Sequence, residues 1–188
     1  MPRYFDLMDD MRIRHRWHLR SPVDGEGHPL NNPWLFRKGQ RVEPQGTILF
    51  PVKPDGTTLE FTLASSAIPV VHERVVQLFE RLGIEEVQFI PVKVAGHEGP
   101  YFILNTLRTI RCIDDARCLE VQYWKPEDER PDKSGQYRVV SGMRIDPAKV
   151  GDARIFRPWG WTVALVVSED LKDAMEEAGL TGTKFEEA

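Results

Sequence analysis

From Val70 to Phe89 the chain reads VVHERVVQLFERLGIEEVQF, and this stretch restricts the fold more than any other. Val75, Leu78, Phe79 and Leu82 fall at i, i+3, i+4 and i+7, the spacing that lines up one face of an α-helix for burial. Gly83 then stands where a helix stops in the left-handed conformation, which a residue without Cβ adopts at little cost. The β-branched residues before the helix and the run VQFIPVKV after it favour extended chain.

The same order returns near the end, where VVSEDLKDAMEEAGLTGTKF aligns with the first stretch without a gap when Val166 is placed on Val70. The apolar stripes coincide in phase, Val75, Phe79 and Leu82 meeting Leu171, Met175 and Ala178. Ser168 is expected to cap the second helix by accepting from a free backbone N–H, with Glu169 and Asp170 favouring its positive end; His72 is the weaker cap in the equivalent place. Each copy predicts a strand, a capped helix, a glycine stop and a returning strand. Duplication and convergence on a common recipe fit this pattern equally well.

Extended runs dominate the first third. YFDLMDD predicts a first strand and RWHLRSP a second, while PVDGEGHPLNNPW, dense in Pro, Gly and Asn, predicts an irregular surface loop. GTILFPVKPDGTTLEFTL predicts two short strands around Pro54-Asp55-Gly56, a turn in which Pro presets φ and Gly supplies a positive φ. VQFIPVKVAG and GPYFILNTLRTIRCID read as a hairpin turning over Gly96 to Pro100, and LEVQYW, YRVVSGMRID and RIFRPWGWTVALVVS as later strands. KPEDERPDKSGQ, from Lys125 to Gln136, has no aliphatic residue to bury and predicts an exposed tip. No linker divides the chain. The expectation is one α+β domain over residues 1–188, mainly antiparallel sheet with two short amphipathic helices in a repeated strand-helix-strand unit; two subdomains, 1–65 and 66–188, stay open as an alternative.

Hydrophobic content of 41% and charged content of 29% are those of a globular protein, and a net charge of −4 argues against broad nucleic-acid binding, which needs concentrated Lys and Arg. Charge is unevenly placed: residues 1–41 hold eight Lys/Arg against five Asp/Glu, residues 160–188 two against seven. Cys112 and Cys118 have the spacing of neither a redox motif nor a zinc knuckle, so free thiols are expected. No window approaches the length of a membrane span and the start has no apolar leader, which predicts a cytoplasmic protein.

The search for chemistry ends mostly in ordinary residues. His15 and His18 would share a side on a helix, but RIRHRWHLR alternates like a strand, where they face apart. Asp114, Asp115 and His97 gather around one predicted hairpin and its exit, and carry the alternative reading of a metal-dependent hydrolase, without any established ligand spacing. No GxSxG elbow and no phosphate-binding glycine loop occurs. In Arg157-Pro158-Trp159-Gly160-Trp161 an extended chain would put both Trp on one side; packing accounts for at least one, and an exposed Trp beside Arg157 would suit an interface.

Taken in order, FIPVKVAGHEGPYFILNTLRTIRCID, MRIDPAKVGDARIFR and VVSEDLKDAMEEAGLTGTKF resemble the immunity proteins of polymorphic bacterial toxin systems, specifically immunity protein family eleven, best known from myxobacteria. The likeness covers about residues 66–188 and is looser before. It implies a cytoplasmic, non-enzymatic protein without cofactor or metal. Such a protein shields its own cell by binding a cognate toxin, in some members a nuclease, delivered by a sibling or neighbour. An adaptor or chaperone for a secreted effector is a further alternative. The contact surface is expected among Trp124, Glu127, Asp128, Glu129 and Asp132 in the polar tip, or Asp173, Glu176 and Glu177 on the last helix, because acids there are free to match a basic groove.

Overall fold

A computed structural model describes residues 2–188. In chain order the strands are β1 (Tyr4–Asp9), β2 (Leu49–Phe50), β3 (Phe61–Ala64), β4 (Ile68–His72), β5 (Val87–Val94), β6 (His97–Thr106), β7 (Thr109–Ile110), β8 (Glu120–Tyr123), β9 (Tyr137–Ser141), β10 (Ile155–Pro158), β11 (Val166–Ser168) and β12 (Thr183–Glu187). Helix α1 (Glu73–Arg81) follows β4 directly, and α2 (Glu169–Glu177) follows β11. The fold is α+β. One sheet runs β2-β5-β6-β4-β3, a second runs β12-β1-β11-β10-β7, and β8 and β9 form a separate antiparallel ribbon. Pairing is antiparallel except for β2 with β5 and β7 with β10.

Both sheets are covered on both faces at their middle, which is why β4, β10 and β11 are buried nearly throughout while the outer strand β12 is not. On β4, Val71 enters a central core while Ile68 and Val70 enter an outer one; on β11, Val167 enters the central core and Val166 a third cluster. The central core also takes Phe5 and Leu7 from β1, Phe61 from β3 and the stripes Val75, Leu78, Phe79 and Leu171, Met175 of the two helices. The helices therefore bury their apolar sides in one shared core. Gly83 and Gly179 both end their helices with positive φ, 64° and 62°.

The strands that the two helices connect are placed alike: β4 and β5 both flank β6, and β11 and β12 both flank β1. The caps depart from expectation. His72 accepts from the Arg74 N–H through Nδ1 at 3.3 Å, whereas Ser168 caps no backbone N–H and donates its hydroxyl to Asp170 Oδ1 at 2.5 Å. A carboxylate two residues on is a stronger acceptor for the serine proton than the serine oxygen is for an amide.

Several strand expectations are corrected. RWHLRSP forms only isolated bridges, Arg16 with Thr57 and Leu19 with Val52, because His15 takes φ 55° and breaks the alternation. Trp17 still lies fully buried, donating its indole N–H to Thr62 Oγ1 at 2.9 Å. Gly56 does not have positive φ; it is needed because a Cβ there would stand 2.2 Å from the His15 carbonyl oxygen. The hairpin turns at Ala95-Gly96, so His97 and Glu98 open β6 rather than lie in the turn. The run through Arg111 is not one strand: after β6 the chain leaves the first sheet, and β7 joins the second beside β10.

Arg157 holds the two sheets together and is the main surprise. It is not beside the surface but wholly buried on β10. Its Nη1 donates to the carbonyls of Thr162 at 2.7 Å and Ala164 at 3.3 Å, and its Nη2 to that of Ala67 at 3.0 Å, on the connector between β3 and β4. Burial pushes its pKa down to about 9, with Arg37 adding to the fall, so it is charged at neutral pH.

Asp6 on β1 lies in the same field. Burial pushes its carboxyl up to about 6, against the acceptance of the Leu165 N–H. A raised carboxyl favours the folded state while protonated. That contribution is full below the unfolded value near 4 and is lost as pH rises through 6. Asp6→Asn keeps the acceptor and removes the titration. The unfolding free energy of the variant, compared with the parent in urea, is expected to gain as much as about 3 kcal/mol between pH 4 and pH 7; a difference independent of pH would contradict this.

Candidate functional site

The polar tip is built by the β8–β9 ribbon. Two short 3-10 turns, Pro126–Asp128 and Pro131–Lys133, each opened by a proline at the first position where no N–H is needed, fold the twelve residues back on themselves. Its acids are not equally free. Asp128 accepts from the Lys125 N–H and the Arg138 guanidinium, both at 2.8 Å, and Asp132 takes a two-pronged contact from Arg130 at 2.9 Å. Trp124 lies between those same cations, 5.5 Å from Arg138 and 5.8 Å from Arg130. Glu127 and Glu129 are exposed and form no ion pair among the described residues.

On α2 the same sorting occurs. Lys172 pairs with Asp173 at 3.0 Å and Glu176 at 2.7 Å, and Glu177 is left exposed and unpaired among the described residues. No hydrogen bond or ion pair joins the tip acids to the helix acids among the described residues. The tip belongs to the ribbon, while α2 packs on β11 and β1. The eight expected contact residues thus form two separate sets, and three carboxylates carry most of their uncompensated charge.

The residues of the hydrolase reading are not gathered. His97 Nε2 contacts Asp55 Oδ1 at 2.9 Å and its ring stands edge-on to Trp17, on the first sheet. Asp115 accepts from the hydroxyls of Tyr137, at 2.7 Å, and Tyr123, whose rings stack 4.8 Å apart. Both phenols are pushed up in pKa, Tyr137 chiefly by burial and Tyr123 chiefly by its bond to Asp115. That carboxylate anchors the ribbon to the preceding turn. Among the described residues no group of three His, Cys, Asp or Glu is arranged to hold a metal ion. Cys112 and Cys118 are free, and burial pushes the Cys112 thiol up to about 12, leaving it unreactive.

A cleft of about 980 Å³ lies between the segment 32–40, the tip and the end of β10, and sequence reasoning missed it. Trp34, Arg37 and Lys38 line it from one side and Arg130 and Lys133 from the tip, with Trp159 between. The Pro33–Arg37 turn holds Trp34 half exposed, with the Arg37 guanidinium over its ring at 4.8 Å. Trp159 is covered by the Arg111 guanidinium 3.2 Å from its ring centre. The cleft's residues come from four places in the chain, 32–40, Thr109, 130–136 and 159–162, so its ends lie about 130 positions apart. A Trp in an otherwise polar, proline-bounded loop was the one signal available.

The whole chain, residues 1–188, matches the model of the immunity protein family Imm11. The match includes the first 65 residues, where the motifs gave only a loose likeness. No curated protein matches the chain. Among the described residues no helix is long and apolar enough to cross a membrane.

Proposed function

The chain belongs to the immunity protein family Imm11, and from that premise we propose that it binds one cognate antibacterial toxin in the cytoplasm of the producing cell and covers its active surface. Membership over the full length is the observation that carries this reading. Two features of the molecule support it. His97 and Asp115, the groups of the hydrolase reading, are engaged in local contacts with Asp55 and with Tyr123 and Tyr137 that hold loops in place. The 980 Å³ cleft is bordered by a polar tip whose side chains can change without disturbing the core.

The toxin meets the tip, through Trp124 and the two free acids Glu127 and Glu129, while Asp128 and Asp132 shape the tip through Arg138 and Arg130. Glu177, with Asp173 and Glu176, offers a second acidic face on α2. Acids of this kind fit a toxin with a basic substrate groove, as a nuclease has.

Co-expression with candidate toxin domains from the genes that flank this one tests the reading. The parent chain is expected to restore growth, and Glu127→Lys/Glu129→Lys to weaken binding of the purified toxin domain by about tenfold, mostly through slower association. Growth arrest that the parent chain does not relieve would refute an immunity role.

A further inference from the structure

We propose that the cleft between residues 32–40 and 130–136 seats a carboxylate-bearing segment of the toxin, an inference that rests on the immunity reading above. The cleft thereby has the opposite sign to the surfaces that the acid-rich segments suggest. The docking face is bipolar: acids on the tip and cations in the concavity beside it.

Charge supports this first. Among the described residues Asp132 is the only acid lining the cleft, and both prongs of Arg130 already hold it. Arg37, Lys38 and Lys133 form no ion pair among the described residues. Three uncompensated cations around one concavity, in a chain of net charge −4, concentrate a positive field where the rest of the molecule is negative.

The setting of Arg37 is the second support. Its Nε is buried without an acceptor, and burial alone pushes its pKa down. The fold has partly desolvated this guanidinium without supplying a counter-charge among the described residues, and places it over the Trp34 ring, 4.8 Å from the ring centre. A guanidinium is planar by its own bonding, and its paired N–H groups suit the two oxygens of a carboxylate. Trp34, half exposed, supplies the apolar anchor that concentrates binding energy at protein interfaces.

Cations interleaved with Trp also suit single-stranded nucleic acid. A protein segment fits better here. Glu127, Glu129 and Asp132 stand on the tip beside the cleft and would repel a continuous phosphate chain, whereas separate carboxylates can each meet one cation and avoid the acids.

The test uses the full chain and an active-site-inactivated form of the toxin domain that the co-expression experiment identifies. Lys38→Glu/Lys133→Glu is expected to weaken binding by about 100-fold, and Trp34→Ala by at least about tenfold, with thermal midpoints unchanged. Arg37→Gln, which keeps shape and removes charge, is expected to lose about tenfold. A hexaglutamate peptide should compete for the cleft and quench Trp fluorescence in the parent but not in the double variant. Unchanged toxin affinity in all three variants, with the parent still protecting cells, overturns the cleft inference and leaves the immunity role standing. A parent chain that protects nothing brings down both. Tight binding of a short oligothymidylate that the double variant abolishes, with toxin affinity intact, overturns it in favour of nucleic acid.

Discussion

Arg157→Ala is expected to destabilise the fold by about 3–5 kcal/mol, enough to unfold much of a domain whose total stability is on the order of 5–15 kcal/mol. Truncation leaves the buried carbonyl of Ala164 and the part-buried carbonyls of Ala67 and Thr162 without this donor, at a cost of roughly 1–3 kcal/mol for a fully buried group and less where water reaches. Removing the buried charge returns part of that sum, because the guanidinium sits in the interior without a direct carboxylate partner and its own Nε is unsatisfied. The net remains large because three segments lose their common tie. Ala67, with φ 54°, and Ser66, with φ 67°, form a strained connector that the Arg157 bond helps to hold. Arg157→Lys should recover little, since one ammonium cannot reproduce the fork that spans Ala67 and Thr162. Urea titration gives the measurement: a midpoint shift with unchanged slope is expected, and a loss below about 1 kcal/mol would show that water replaces the guanidinium without penalty. Thr162 also lines the cleft, so Arg157 supports the proposed docking site from behind.

The fragment 66–188 is expected not to fold by itself, the second large effect. Residues 4–9 form β1, which pairs with β11 on one side and β12 on the other, so their loss cuts β12 off from the rest of the second sheet. Phe5, Leu7 and Phe61 leave the central core, and Trp17, Phe36 and Phe50 leave the outer one. Fully burying each such side chain contributes about 1.5–3 kcal/mol, so these six alone represent about 9–18 kcal/mol, as much as the roughly 5–15 kcal/mol stability of an ordinary domain. The turn at Thr181 and Gly182 adds to this. A Cβ on Gly182 would stand 2.1 Å from the Phe61 carbonyl oxygen, and the Thr181 N–H donates to Glu60 Oε2 at 2.9 Å. Circular dichroism of the fragment should show no cooperative melt, and the full chain should melt in one transition. A fragment that melts cooperatively would establish the division at residue 65.

How much of this was legible depended on the range of the interaction. Helix α1 was readable because Val75, Leu78, Phe79 and Gly83 act within two turns of one another, and α2 because the same stripe recurs at Leu171 and Met175. The failures lie where a neighbouring side chain or a turn of the backbone overrides the simplest local pattern. Ser168 offered a good local cap, but Asp170 took its proton; RWHLRSP alternated like a strand, but the backbone turned at His15 and left only single bridges. Among the expected contact residues, sequence could place Glu127 and Glu129 at an exposed tip. It could not show that Arg138 and Arg130 neutralise Asp128 and Asp132, because a charge is free or paired according to what folds beside it.

The sequence by itself determined the α+β class, the two amphipathic helices with their glycine stops and the polar tip, and its motifs pointed to the immunity family. Each depends on periodicity or on residue types within a short stretch, where the backbone geometry is local. The tertiary structure decided the strand order, the burial of Arg157 and the cleft with Trp34, Arg37, Lys38, Lys133 and Trp159. Those depend on segments far apart in the chain meeting in a shared interior. What they expose and what they leave uncompensated is fixed by packing and desolvation across the contact, which no single stretch contains.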